Sequence, residues 1–463
     1  MIPNHSPWIK QLRRTRPIVS LDKNIETDVV IVGGGIAGVT TAFFALRNTN
    51  QNVILIEADK IAHGATGHNA GQIASYFEKP LSEIVDEFGL DLAIDGQKSV
   101  ESAWILLDQI IEEAKLRTPL HRFVGRTGLS SLDQVILNLK NNLYRKNGGL
   151  EVEVIVIAEE WEEKEKIPSE YRDLYKFLPQ KDLLGLLEVK NKDYIACFSY
   201  QKGSMNSALF SEELINHMAT QHKERFSFYE GSPVKVVRLK EDYGVLEILD
   251  HNIKAKRIVL CTNGFEYLKI KNEAGAEIDT KFHHGVAGRV GYMSGYLDSS
   301  SNPPMAASYF PKMKISGAND PTGEKYFYLT RRPHEHDGKR YHNLICTGGP
   351  EKVLPNGADY SKEAYCSEEV REVIDGFLKN NYLKHPGKGV RYDFCWHGLM
   401  GYTPNGIRRI GSEPCNPVLL YNLGCNGVGI LPSIYGGSRI SRFLNNEEVE
   451  ISIFDPHDQR CEI

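Results

Sequence analysis

No stretch of this sequence approaches the roughly 20 consecutive apolar residues that a membrane-crossing helix needs, and its opening, MIPNHSPWIKQLRRTRP, lacks the apolar core of a secretory leader. Nor is there a basic block long enough to follow a phosphate backbone. The 55 Lys and Arg stand against 60 Asp and Glu, net charge -5, which argues against nucleic acid as a partner. Cysteine is sparse: eight residues are scattered with no C-x-x-C pair, in a chain too large to need disulfide staples, so free thiols in a reducing compartment are expected. Internal repeats and low-complexity tracts are missing as well. These absences leave a soluble, cytoplasmic protein of two or three structural units, large enough to enclose a sizeable ligand.

What is present begins at Asp28-Val-Val-Ile-Val32, a β-branched run that reads as a strand buried on both faces. Gly33-Gly34-Gly35-Ile36-Ala37-Gly38 follows at once, and Val39, Ala42, Phe43, Ala45 and Leu46 recur at helical spacing after it. A second strand, Asn52 to Glu57, completes a βαβ unit in which G-x-G-x-x-G lies between strand and helix and an acidic residue ends the next strand. Gly33, Gly35 and Gly38 let backbone approach a pyrophosphate, and the amides from Ile36 and Ala37 onward open the helix towards an anion. Glu57, next to Ala58, can accept ribose hydroxyls. A dinucleotide is the natural ligand, but the motif alone does not separate FAD from NAD.

The next segment, His63 to Gln72, is too rich in small and polar residues for a regular element and predicts a ligand-hugging loop. Two amphipathic helical stretches span about 81 to 116, and the charged run Glu159 to Lys166 reads as an exposed helix face. Strand patterns recur at 232–239, 245–249 and 255–264. Residues 285–350 carry short aromatic and β-branched runs that fit an antiparallel sheet.

DVVIVGGGIAGVTTA, VILIEAD and HGATGHNAGQ together resemble the opening of the D-amino-acid oxidase-like FAD oxidoreductases, over residues 28–72. The likeness continues weakly through Gly203–Ser207, Pro233-Val234 and Ala255–Asn263. It returns at Trp396–Gly411 and in the closing glycine-rich turn Asn422–Gly429. The arm bearing Trp8 ahead of the first strand is similar to the gamma-glutamylputrescine oxidoreductase branch. The resemblance implies an α/β plus α+β fold. An FAD-binding Rossmann-like domain would comprise 28–80, 190–270 and 392–463, a discontinuous substrate domain with a mostly antiparallel sheet 81–189 and 271–391, and residues 1–27 a surface arm. It assigns FAD contacts to Gly64, Ala65, Thr66, His68, Asn69, Ala70, Gly71 and Gln72, then to Val234, Thr262, Asn263 and Gly264, and finally to Gly401, Thr403, Gly424, Asn426, Gly427, Val428 and Gly429. The helix after Gly429 would point its N-terminus at the flavin pyrimidine. Gly436 and Gly437 within it read as close-packing positions rather than ligands.

The implied activity is oxidation of a C–N bond in a small-molecule amine or amino acid, with O2 or another carrier as electron acceptor. Tyr326, Tyr328 and Arg332 fall on the strand that lines the pocket in relatives. There they would share a face, and Arg332 is either a carboxylate clamp or a surface charge at the strand end. His68 stands where the usual motif has Arg. It either hydrogen-bonds the flavin or the loop, or attaches to the ring covalently as in dimethylglycine and sarcosine dehydrogenases. Asn405 and Arg408 also depart from the family pattern. His334, His336, Asp337 and His342 lack an established metal-ligand spacing and read as a solvated turn, so no metal is expected. Rival readings are an oxidase of an amine within a modified tRNA and a non-catalytic flavin-binding subunit of a complex.

Overall fold

The β-branched run that opens the chain's first full strand sits where such runs are stable, at the centre of a sheet covered on both sides. In this computed structural model, which describes residues 3–12, 14, 16–264, 268–278, 285–311, 326–336, 338–354, 360–387, 390–457 and 461, the strand Ile25–Val32 pairs in parallel with Val53–Ile56 on one side and His251–Leu260 on the other. Outward from these lie Phe226–Tyr229 and Leu419–Leu423, both again parallel, giving a nine-stranded sheet with an antiparallel ribbon, Val234–Leu239 and Gly244–Ile248, at one side. The helices Ile36–Asn48 and Ile430–Leu444 pack against each other over this sheet. Gly437 makes that contact possible, because a Cβ there would lie 2.8 Å from the Thr41 amide nitrogen. At Gly436 one would lie 2.2 Å from Asn422 Oδ1. The packing role expected for both glycines holds.

A second sheet of ten strands runs Phe394–Tyr402, Ala287–Asp298, Lys339–Leu354, Phe327–His336, Met305–Tyr309, His121–Leu129, Ala196–Ser204, Val154–Ala158 and Lys176–Leu178, with Gln72–Ala74 paired to Ala196–Ser204. It is antiparallel except at two pairs, as the aromatic, β-branched runs predicted. Sheet membership divides the chain more finely than the expected boundaries do. The strands at 72–74, 196–204 and 394–402 belong to this second sheet, so the chain crosses between sheets inside each segment assigned to the FAD domain.

Strand alternation gives the second sheet two unlike faces. Phe327, Leu329 and Ile345 face outward onto Phe377 and Leu378 of the helix Glu368–Asn381. On that side Arg331 donates to both Glu188 carboxylate oxygens, at 2.6 and 3.0 Å, and to Tyr382 Oη at 2.6 Å. Leu344, Cys346, Met293 and Trp396 face inward, into the core shared with the glycine-loop helix.

Three expectations are corrected. The arm is inserted, not laid on the surface: Trp8 is fully buried, and Arg14 and Arg16 are ion-paired with the buried Glu230 and with Glu212; Arg13 lies outside the described residues. The thiols are not all free, since Cys415 and Cys461 form a disulfide. His334 is not in a solvated turn but in the strand Phe327–His336, 3% exposed. The side chains of His336 and His342, and Asp337 altogether, lie outside the described residues. The charged run does lie exposed, in a short 3-10 turn, Glu162–Lys166, with no buried residue. Among the described residues no helix is long and apolar enough to cross a membrane.

Candidate functional site

Two glycines make the strand-to-helix turn possible. Gly33 has φ +111°, and a Cβ there would lie 2.6 Å from the Cys261 carbonyl oxygen; at Gly38 it would lie 1.8 Å from the Gly33 oxygen. Gly35 caps the helix without any side-chain hydrogen bond, which leaves a helix N-terminus suited to an anion. Ile36 donates its amide to Thr66 Oγ1 at 2.9 Å, tying the helix to the 64–72 loop, and Ala37 is buried behind it. Glu57 accepts from the Gly34 amide at 2.7 Å and the Asp59 amide at 2.9 Å, beside the exposed Ala58. Burial raises the Glu57 carboxyl pKa despite those donors.

The 64–72 loop is fixed from below by the arm. Gly64 is exposed, and Ala65 opens a single 3-10 turn ending at Gly67. His68 is half-buried with Nδ1 3.0 Å from the Gly64 oxygen, and burial pushes its pKa down to about 4, so its ring is neutral. The Asn69 carbonyl accepts from both Trp8 Nε1 at 2.6 Å and Trp396 Nε1 at 3.1 Å, while its side chain bonds Gly71 N and Ser207 Oγ. Ala70 packs on the core, and Gly71, at φ +67°, leaves the Trp8 ring room that a Cβ would take. Gln72, which opens a short strand of the second sheet, donates across that sheet to Thr330 Oγ1 at 2.6 Å.

The later motifs converge from the other side. Asn263 and Gly264, beyond Thr262, turn with positive φ. Asn263 Oδ1 accepts from the Cys425 amide, and its carbonyl would be 2.0 Å from a Cβ on Gly401. Asn426 Oδ1 accepts from the Thr403 amide at 2.8 Å and holds the closing turn of Gly424, Gly427 and Val428 against the strand Phe394–Tyr402. Gly429 caps the helix Ile430–Leu444 without a side-chain bond, so this N-terminus is also open. Val234 follows Ser232, whose amide donates to the Glu57 carbonyl at 3.0 Å, and is half-buried against the core that holds Val30 and Ile56.

Sequence reasoning missed how Arg408 works. It is buried and donates to Asn422 Oδ1 at 2.7 Å and the Asn422 carbonyl at 3.0 Å, with the Gly424 carbonyl at 3.4 Å, bracing the closing turn. It also missed Glu78, which accepts from Tyr402 Oη at 2.6 Å and Tyr326 Oη at 3.1 Å and lies against Gly427. In the sequence Glu78-Lys-Pro reads as an ordinary surface turn.

Tyr328, Thr330 and Arg332 share the inward face, with Tyr326 just ahead of the strand and its ring 5.8 Å from that of Tyr328. They are not gathered at one point. Tyr326 meets Glu78, whereas Arg332 lies at the arm end, 4.9 Å over the Trp8 ring. The surface-charge alternative for Arg332 fails, because it is 2% exposed. Among the described residues its Nε and Nη1 have no hydrogen-bond partner, and neither have Lys202 Nζ and Ser204 Oγ, all buried. Buried polar atoms are seldom left so. Donors left without acceptors, together with two helix N-termini that have no side-chain cap, fit an elongated, electron-rich cofactor such as FAD. Among the described residues no cluster of His, Cys, Asp or Glu could hold a metal ion.

Comparison with known proteins agrees with this geometry. The profile of the DAO family, FAD dependent oxidoreductase, matches residues 28–442. Gamma-glutamylputrescine oxidoreductase of Escherichia coli (strain K12) is 32% identical over 95 residues, 20% of this chain and 22% of that one, and the curated relatives are matched over less than half of their length. Glycine oxidase from Geobacillus kaustophilus superimposes with a TM-score of 0.64 at 15% identity, covering 93% of this chain and 98% of the other. L-proline dehydrogenase from P. horikoshii gives 0.65 at 17%, covering 93% and 97%. The two structures establish the fold, and the profile, spanning both the glycine motif and the closing turn, establishes that this chain belongs to the FAD dependent oxidoreductase family.

Proposed function

We propose that the protein oxidises the C–N bond of a small amine or amino acid. The observation that carries the reading is the Gln72–Thr330 hydrogen bond, which brings the flavin loop against the strand face bearing Tyr328. When bound, FAD supplies the two-electron oxidation by accepting hydride from the carbon beside the amine nitrogen, and water then splits the resulting imine into a carbonyl product and amine or ammonia.

The chain's own residues position and shield. The amides that follow Ile36 in the helix Ile36–Asn48 and those at the start of the helix Ile430–Leu444 would hold negative charge on the bound cofactor. Tyr326 and Tyr328 line the substrate side and exclude water. Arg332 packs over the Trp8 ring and braces the arm. His68, neutral and bonded to the Gly64 carbonyl, supports the loop.

The test is anaerobic titration of the purified yellow protein with a panel of amines and amino acids. Bleaching by one of them supports the reading, and a flavin that none of them reduces overturns it. Readmitting air then separates O2 from another acceptor by whether the colour returns. Acid precipitation tests the attachment at His68: colour released to the supernatant supports the non-covalent, loop-supporting role of His68, and colour kept in the pellet overturns it.

A further inference from the structure

Among the described residues, the inner face of the second sheet carries two buried cations whose nitrogens lack a hydrogen-bond acceptor, Arg332 at Nε and Nη1 and Lys202 at Nζ, and either would suit a substrate carboxylate. Arg332 is capped on one side by the Trp8 indole and lies at the arm end of its strand. Lys202 stands elsewhere. The ladder carries the face across to it: Tyr328 pairs with Ser308, Ser308 with Thr127, and Thr127 Oγ1 lies 3.3 Å from Tyr200 Oη, two residues from Lys202. The Lys202 stem crosses Gly125, where a Cβ would come within 2.7 Å of it, and is thereby led towards the aromatic end of the face. Its Nζ lies 5.4 Å from the Tyr200 ring centre and 5.8 Å from that of Tyr76, and those two rings meet edge to face.

Lys202 is 1% exposed and its ammonium has no hydrogen-bond acceptor among the described residues. Two tyrosine faces compensate only part of the cost of burying a charge. Ser204 Oγ, next along the same face, is likewise without a partner. Beyond Tyr76 stands the opposite charge: Tyr76 and Glu78 line one cavity, with Asn426 and Val428 of the closing turn. A cation and a carboxylate that both neighbour one tyrosine match the two ends of a zwitterion.

We propose that Lys202 binds the substrate carboxylate, with Glu78 facing the amine end, so that the substrate is an amino acid or N-substituted amino acid rather than a simple amine. This rests on the C–N oxidation proposed above and moves the carboxylate from Arg332 to Lys202. A lysine ammonium to carboxylate contact is a charge-assisted hydrogen bond, and its loss should cost about 10- to 100-fold in affinity.

The experiment titrates the FAD-loaded protein with acetate, propionate and benzoate, read by the shift of the flavin absorption band, in wild type, Lys202→Met, Lys202→Arg and Arg332→Met. The expected result is carboxylate binding in wild type, weakened about 10- to 100-fold in Lys202→Met and partly restored in Lys202→Arg, with Arg332→Met close to wild type. No carboxylate binding in wild type, equal binding in Lys202→Met, or loss confined to Arg332→Met overturns the proposal. Because no turnover is involved, the outcome is independent of whether an amine reduces the flavin. Thermal unfolding and the bound-flavin ratio show that each variant is folded.

Discussion

Trp8 and Trp396, from opposite ends of the chain, meet edge to face with ring centres 6.2 Å apart, and both donate their indole N–H to one acceptor, the Asn69 carbonyl. The flavin loop is thereby held by side chains that lie far from it in sequence. Trp8→Ala should remove about 3–5 kcal/mol of packing and raise the FAD dissociation constant. Trp8→Phe, which keeps most of the ring and loses the hydrogen bond, should cost about 1 kcal/mol. Thermal unfolding with flavin fluorescence titration checks both; an unchanged FAD affinity in Trp8→Ala would show that the arm does not support the loop.

Glu57 holds the glycine turn through Gly34 and Asp59 amides. In Glu57→Gln one acceptor oxygen becomes a donor facing an N–H group. A loss of about tenfold in FAD affinity is expected, about 1.4 kcal/mol, with little change in the melting temperature of the cofactor-free protein.

The pH dependence at His68 has a defined sign. Its folded pKa lies at about 4, below the ordinary 6.5, because burial penalises the imidazolium. The unfolded chain therefore takes up this proton first. The contribution of His68 to stability is present above pH 6.5 and is lost as pH falls from 6.5 through 4. His68→Gln should flatten the melting temperature in that window, and an unchanged slope would remove His68 from the account.

The Cys415–Cys461 bridge closes a segment with a sequence separation of 46. Reduction, or Cys461→Ser, should lower stability by about 2–4 kcal/mol through the greater freedom of the unfolded chain. Mass spectrometry after alkylation, with and without reductant, shows whether the bridge is formed. The six other cysteines are free.

Residues whose backbone geometry is the function were legible from the sequence. Gly33, Gly38 and Gly401 sit where neighbouring carbonyl oxygens leave no room for a Cβ, and only glycine meets that demand. Side chains whose meaning depends on distant partners were not. Lys202 lies in Tyr200-Gln-Lys-Gly-Ser204, which reads as a polar strand, and only the pairing of that strand between two others turns it inward. His334 follows Pro333, which suggested a turn. The strand absorbs the proline at an irregularity in register between Arg332 and His334, where a missing N–H costs least. The disulfide was beyond reach because spacing alone does not pair scattered cysteines.

The arm has a further consequence. Asn4 bonds to the backbone of His397, 393 residues later, through both its side-chain oxygen and nitrogen, and His5 pairs with Cys395. The arm is synthesised long before the strand that receives it, so the Asn69 carbonyl gains its second indole donor only once Trp396 has been added. FAD capture is thus expected as a late step in the life of the nascent chain, after both sheets have closed.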